Sequence, residues 1–207
     1  MARPNDSSRR DLPDIQWLER MYNNRQRVPD HDDYFARWAA ESALVRRSLP
    51  CQLDVRYGDG AGETLDAFAA ARPRSPIVVF IHGGYWKAMD KSQHSYVVPA
   101  LRDLGAAVVV PNYALAPKVG IPDITLQMVR AVAWSWRHAR TLGGDARRIV
   151  VMGHSAGGQL AAMMLACAWN RFEPALPPRL VRAALGISGL YDLQPLLHTP
   201  SLQEVLR

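Results

Sequence analysis

Cysteine is scarce in this 207-residue chain: Cys51 and Cys167 stand far apart, in no Cys-x-x-Cys or zinc-finger spacing, and both read as small buried hydrophobes. The histidines are equally ungrouped. His82, His94, His138, His154 and His198 form no His-Glu-x-x-His pattern, so neither a metal nor another cofactor is expected. Long apolar runs are missing as well, and none approaches the ~20 residues of a membrane span. The opening stretch, Met1 to Asp11, is polar and lacks the apolar core of a secretory signal, which makes a cytoplasmic setting the expectation. Lysine is rare, too. The basic residues behind the net charge of +6 and the pI near 9.7 are almost all Arg, scattered and at most paired. Phosphate binding needs such charges gathered on one face, so a solvated surface is expected and no nucleic-acid partner.

What remains is the composition of a soluble globular domain, 48% hydrophobic and 21% charged, without repeats or low-complexity tracts. Residues 1–13 read as a flexible leader and 14–207 as one domain. Ile15 to Tyr22 and Tyr34 to Arg46 have helical spacing, with Phe35, Trp38, Ser42 and Val45 on one side; core packing is the first expectation for that stripe, roofing of a pocket the second. Leu53, Val55 and Tyr57 alternate with polar residues, Gly58 to Gly62 turns the chain, and Leu65 to Phe68 resumes it, predicting a hairpin at a sheet edge. Ile77 to Ile81 is a continuous apolar run, as in a strand covered on both faces. A helix is predicted over Ser92 to Leu104, a strand over Ala106 to Val110, and a long helix from Pro122 to the Gly143-Gly144 pair. A last strand is predicted over Arg179 to Ile187. Strands alternating with helices imply an α/β fold with a mostly parallel sheet and helices on both faces.

The chemistry gathers at Ile149 to Gly158. Four apolar residues, Ile149 to Met152, run into Gly153-His154-Ser155-Ala156-Gly157, and a stretch rich in helix formers follows from Gln159 to Trp169. A Gly-x-Ser-x-Gly turn between strand and helix exposes its middle side chain on a strained backbone, the pattern of a nucleophile elbow with Ser155 as nucleophile. Upstream, His82-Gly83-Gly84-Tyr85-Trp86 ends a central strand. The N–H groups of Gly83, Gly84 and Ala156 are candidate oxyanion donors, each typically worth ~3 kcal/mol of barrier.

The base is harder to place. His82 sits in the oxyanion loop and reads as its organiser, while His154 neighbours the serine and reads as a packing or hydrogen-bonding residue. In this chain order the acid and then the histidine follow the serine. Beyond Ser155 only Asp192 and His198 qualify, six residues apart on one apparent loop, where two separate strand ends are needed. The acid and base are therefore not found in this chain.

The two motifs together resemble the kynurenine formamidase (arylformamidase) group of α/β-hydrolases. The similarity extends to Gln52-Leu53-Asp54-Val55, Tyr57-Gly58-Asp59-Gly60, Tyr113-Ala114-Leu115-Ala116-Pro117, and Ser188-Gly189-Leu190-Tyr191-Asp192-Leu193 with Pro195-Leu196. It implies an α/β-hydrolase fold and cofactor-free hydrolysis of N-formylkynurenine to kynurenine and formate in tryptophan breakdown, with Ser155 as nucleophile. Tyr85 and Trp86 either flank the aromatic substrate or pack the loop. The family continues for several strands and helices that carry its Asp and His, so the resemblance also implies that this sequence is truncated, its domain incomplete at the C-terminal end. Two other readings stay open: a general small-substrate carboxylesterase, or a non-catalytic hydrolase fragment. A homodimer stays open as well.

Overall fold

The computed structural model describes residues 14–206; the leader expected over 1–13 lies outside them. Three helices come first, α1 (Ile15–Tyr22), α2 (Asn24–Arg27) and α3 (His31–Ser48), followed by strands β1 (Gln52–Arg56), β2 (Thr64–Phe68) and β3 (Ser75–Ile81). Then α4 (Val98–Asp103), β4 (Ala107–Pro111), α5 (Ile121–Arg137), β5 (Gly144–His154) and α6 (Ala156–Ala166) alternate. The short α7 (Trp169–Phe172), β6 (Val181–Ile187) and α8 (Gln194–Leu197) complete the order, with 3₁₀ turns over Pro200–Val205.

The six strands form one sheet in the order β1-β2-β4-β3-β5-β6. β3, β4, β5 and β6 run parallel, while β2 is antiparallel to both β1 and β4. The run Ile77 to Ile81 is thus a central strand, with Val78 in register with Val108 on one side and Val150 on the other. Alternate residues of the strands face opposite layers. Ile77, Val79, Ile81, Val109, Ile149 and Val151 pack with Met128 and Val132 of α5 and Leu160 and Met164 of α6. Phe80, Val108 and Val110 pack instead with Val45 of α3 and Val98 of α4. Each fully buried Val, Ile or Phe contributes about 1.5–3 kcal/mol of transfer free energy, so both layers are tightly anchored to the sheet.

Two local expectations differ from the structure. The helix predicted over Ser92 to Leu104 is broken into two 3₁₀ turns, Lys91–Gln93 and Ser95–Val97, with α-helix only from Val98. Pro99 explains the break: it lacks an N–H and its ring collides with a preceding helical turn, so it is accommodated at a helix start. Leu104, assigned to the apolar face, is 82% exposed as a result. In the hairpin, Asp54 has φ 56° and the register shifts between Gln52 and Val55. That irregularity leaves Leu53 exposed while Tyr57 stays buried, so the simple alternation fails at its first position.

Candidate active site

β5 and α6 meet at Ser155, which has φ 55° and ψ −119°. A non-glycine residue there costs about 1–3 kcal/mol and persists only where its surroundings hold it. Two backbone hydrogen bonds do so: Ser155 N–H donates to Ile187 O at 2.8 Å, and Ser155 O accepts from Gly158 N–H at 2.8 Å. The flanking glycines are demanded by close approach. A Cβ on Gly153 would run into the carbonyl of Gly157, and one on Gly157 into the carbonyls of Ile81 and His82. The end of β3, the end of β5 and the first turn of α6 therefore share a space with no room for side chains.

The loop after β3 lies against this turn. A Cβ on Gly83 would stand 2.8 Å from His154 O and 3.1 Å from Ser155 Cβ. Beyond it, Gly84 has φ 101°, Tyr85 51°, Trp86 56° and Met89 75°, an unusual density of left-handed backbone for mostly non-glycine residues. Tertiary contacts hold the loop in place. Tyr113 Oη donates to His82 O at 3.0 Å and Gly83 O at 3.1 Å, and Ala116 N–H donates to Trp86 O at 2.8 Å. Among the described residues, the N–H groups of Gly83, Gly84 and Ala156 have no backbone acceptor.

His82 is fully buried, its ring stacked on Tyr113 with centroids 4.2 Å apart. Its Nδ1 lies 2.8 Å from Gly83 O and its Nε2 3.2 Å from Asn112 Oδ1, and burial holds its pKa below the ordinary histidine value. His94, behind it, is pushed down to about 3, first by burial and then by His82. His154 stands beside Ser155 against the edge of Trp38, its pKa also lowered by burial. Asp192 caps Gln194 N–H at 3.1 Å and His198 ends α8; neither lines the space in front of Ser155. The rings of His31, His82, His94 and His138 bond to backbone carbonyls or to Asn112, and among the described residues none bonds to Ser155.

Ser155 and His154 open onto a cleft of about 680 Å³. Its other walls are Gly84, Tyr85, Lys87, Ala88 and Met89 of the loop, Ser201 and Leu202 near the chain end, and a broad contribution from residues 22–38. Tyr85 reaches the cleft, and its Oη donates to Tyr22 O at 2.6 Å. Trp86 does not: it is fully buried, outside the lining, so of the two aromatic neighbours only Tyr85 is placed to meet a ligand. His82, grouped with them from the sequence, also lies outside the lining. The α3 stripe divides. Ser42 and Val45 are buried as packing residues, whereas Phe35 and Trp38, nearer the N-terminal end of α3, line the cleft. Tyr22, Arg25, His31, Tyr34 and Met89 line the cleft without having been marked by any motif; the aromatic stripe was the only signal of that wall. Among the described residues, no group of His, Cys, Asp and Glu is arranged to hold a metal ion, and no helix is long and apolar enough to cross a membrane.

Comparison with known proteins agrees with this architecture. Residues 78–204 match a family described as alpha/beta hydrolase fold. Kynurenine formamidase of Danio rerio is 35% identical over 149 residues, covering 71% of this chain and 48% of that protein. Esterase LipQ of Mycobacterium tuberculosis is 32% identical, over 72% of this chain and 37% of that protein. The chain thus spans about half, or less, of the length of these relatives. A crystal structure from Silicibacter sp. TM1040, described as a candidate thioesterase, superposes with a TM-score of 0.79 at 36% identity, over 91% of this chain and 69% of that one. By sheet order, strand–turn–helix site and sequence match alike, the chain belongs to the α/β-hydrolase fold family and is similar to its kynurenine formamidases.

Proposed function

We propose that this chain carries the nucleophile half of a serine hydrolase of the arylformamidase type, cleaving N-formylkynurenine or a related aryl formamide to the aryl amine and formate. The observation that carries the reading is Ser155, held at φ 55° on the cleft floor beside Gly83, with the N–H groups of Gly83, Gly84 and Ala156 unengaged. In the reaction, Ser155 Oγ attacks the formyl carbon and the carbonyl electron pair moves onto oxygen, where those three N–H groups stabilise it. Collapse breaks the C–N bond; the amine leaves with a proton, and water then releases formate from formyl-Ser155. His82 and Tyr113 hold the donor loop, and Tyr85, Phe35 and Trp38 face the aryl group.

Activation of Ser155 requires a base. Without one engaged, the oxyanion donors and binding retain only ~10³–10⁴-fold catalysis over water, so turnover by the 207-residue chain should be slow. The test is formate release from N-formylkynurenine together with labelling by a fluorophosphonate. Both should vanish in Ser155→Ala; formate release that survives this change would overturn the assignment. A carboxylesterase is the second reading, favoured by a cleft far larger than a formyl group needs and by the esterases among the relatives. Turnover of p-nitrophenyl acetate well above that of the formamide would select it. The free Cys51 and Cys167 suit the reducing cytoplasm we propose as its setting, and size-exclusion with light scattering tests a homodimer.

A further inference from the structure

The segment from His82 to Lys91 leaves β3, carries Gly83 and Gly84, walls the cleft at Tyr85 and Met89, and ends where the first 3₁₀ turn begins. One side chain meets both of its ends. Asn112, the residue after β4, has its Oδ1 3.2 Å from His82 Nε2, accepts from Lys91 N–H on the same oxygen at 3.3 Å, and donates from Nδ2 to Asp90 Oδ2 at 2.7 Å. These partners set the amide's orientation, because a carboxylate only accepts and a backbone N–H only donates. Burial of Asp90 is outweighed by hydrogen bonds from Ser92, so its carboxyl stays below the ordinary range and ionised. Asn112 is itself fixed by its backbone: its N–H donates to Thr64 O at 2.8 Å and its O accepts from Tyr57 Oη at 2.6 Å. Neutral His82 has one ring proton, for which Asn112 Oδ1 competes with Gly83 O at 2.8 Å, so the ring joins the amide to the peptide unit whose N–H is that of Gly84. The Lys91 ammonium, bonded to Asp54 and Asp66, sits at the end of a flexible stem and fixes no backbone atom of the loop.

We propose that Asn112 is a positioning residue for this loop, holding both of its ends against β4 so that the N–H groups of Gly83 and Gly84 keep one direction beside Ser155. The inference rests on the hydrolase reading for the role of those N–H groups, and on the hydrogen bonds alone for the placement of the loop. The loop's own backbone calls for such a staple. φ is positive at Gly84, Tyr85, Trp86 and Met89, and strained conformations of this kind relax once the contacts that impose them are removed. Tyr113 holds the carbonyls of His82 and Gly83, whereas Asn112 holds the flanks.

The experiment compares the wild-type 207-residue protein with Asn112→Ala and Asn112→Asp, by amide hydrogen exchange and by the rate of fluorophosphonate labelling at Ser155. The amides of Lys87, Ala88 and Ala116 bond to the loop carbonyls of Gly84 and Trp86 and so report on it. In Asn112→Ala they should exchange about tenfold faster or more while β5 exchanges as in the wild type, and labelling should slow by about tenfold. Asn112→Asp keeps the shape and the acceptor but sets an oxygen 2.7 Å from the Asp90 carboxylate, and two carboxylates that close cannot both stay ionised. Its labelling rate, as a ratio to the wild type at each pH, should be lowest at pH 8 and climb about fivefold or more by pH 5 as a proton is shared, with loop exchange approaching the wild type in step. The other ionisable groups around position 112 are Lys91, His82 with His94 stacked on it, Tyr57 and Tyr113; all are unchanged by the substitution, and burial pushes both tyrosine pKa values up. Wild-type loop exchange in Asn112→Ala, or an Asn112→Asp ratio that is flat with pH, overturns the proposal. Where Asn112→Ala loosens β5 as well, the pH series of the isosteric variant decides alone. A wild type that is not labelled at Ser155 sinks the hydrolase reading and leaves the exchange data to judge the positioning; normal labelling with an unmoved loop in Asn112→Ala sinks the positioning alone.

Discussion

The backbone at Ser155 and its glycines is over-determined, and single-atom changes should show it. Gly157→Ala places a methyl against the carbonyls of Ile81 and His82, at the end of a central strand that is bonded on both sides and has nowhere to shift. We expect a loss of about 1–3 kcal/mol or more in urea unfolding, the usual cost of overpacking. Tyr113→Phe is milder and more specific. It deletes the hydroxyl that donates to both His82 O and Gly83 O, leaving His82 O without that donor and Gly83 O with the His82 ring alone. The loop we propose as the source of the oxyanion donors loses its fixed position, so kcat should fall by about tenfold while KM changes little; an equal effect on both would make Tyr113 a binding residue instead. The strand–turn–helix at Ser155 and the glycine loop at Gly83 and Gly84 were legible as local structure, because they follow a local spacing rule. Tyr113 was not, since its role depends on where β4 ends beside β3.

At the scale of elements, α3 performs two tasks along one stripe. Val45→Ala should cost about 1–3 kcal/mol, since Val45 packs with Phe68, Phe80, Val98 and Val108. Trp38→Ala should leave a folded protein whose cleft is wider, read as a raised KM for aryl substrates with a smaller change in melting temperature. A second element-level feature is the ion cluster around the buried Lys91 and Asp66 that joins the sheet edge to the loop after β3. Lys91, 2% exposed, donates to Asp66 at 2.6 Å and to Asp54 at 2.7 Å, and Arg46 of α3 lies 3.1 Å from the other oxygen of Asp66. Lys91→Met strips the nearest cation from a fully buried carboxylate, and about 3–5 kcal/mol of stability should go with it. Replacing Lys91 and Asp66 together by apolar residues should cost less than the single change. No sequence rule links residues 46, 54, 66 and 91; only the docking of α3 and the 3₁₀ turns on β1 and β2 brings them together.

For the whole molecule, pH and the open sheet edge are the accessible readouts. Burial holds His82, His94 and His154 below the ordinary pKa, His94 at about 3. Between about 6.5 and 3 the unfolded chain therefore binds more protons at His94 than the folded one, and stability rises with pH across that window. It drains away as pH falls, by up to about 1.4 kcal/mol per pH unit for one fully titrating histidine. Urea melts at pH 4.5 and 7 should show a smaller difference in His94→Gln than in the wild type. An unchanged difference would remove His94 from the account. β6, the last strand in the sheet order, pairs with β5 on one side, and Leu185 and Ile187 are 51% and 43% exposed. A strand edge of this kind templates association, so the wild type should self-associate with rising concentration, and Leu185→Lys should suppress it in light scattering.

By itself the sequence determined the fold class, the sheet's buried strands, the edge hairpin and the strand–serine–helix turn, because each follows from short-range rules of periodicity, glycine and proline. It could not determine which residues face one another across the cleft. Phe35, Trp38 and Arg25 come together with Tyr85 and Ser155 only when the leading helices fold back over the loop after β3, and the same docking divides the α3 stripe between core and cleft. That decision belongs to the tertiary structure, where sequence separation no longer measures distance.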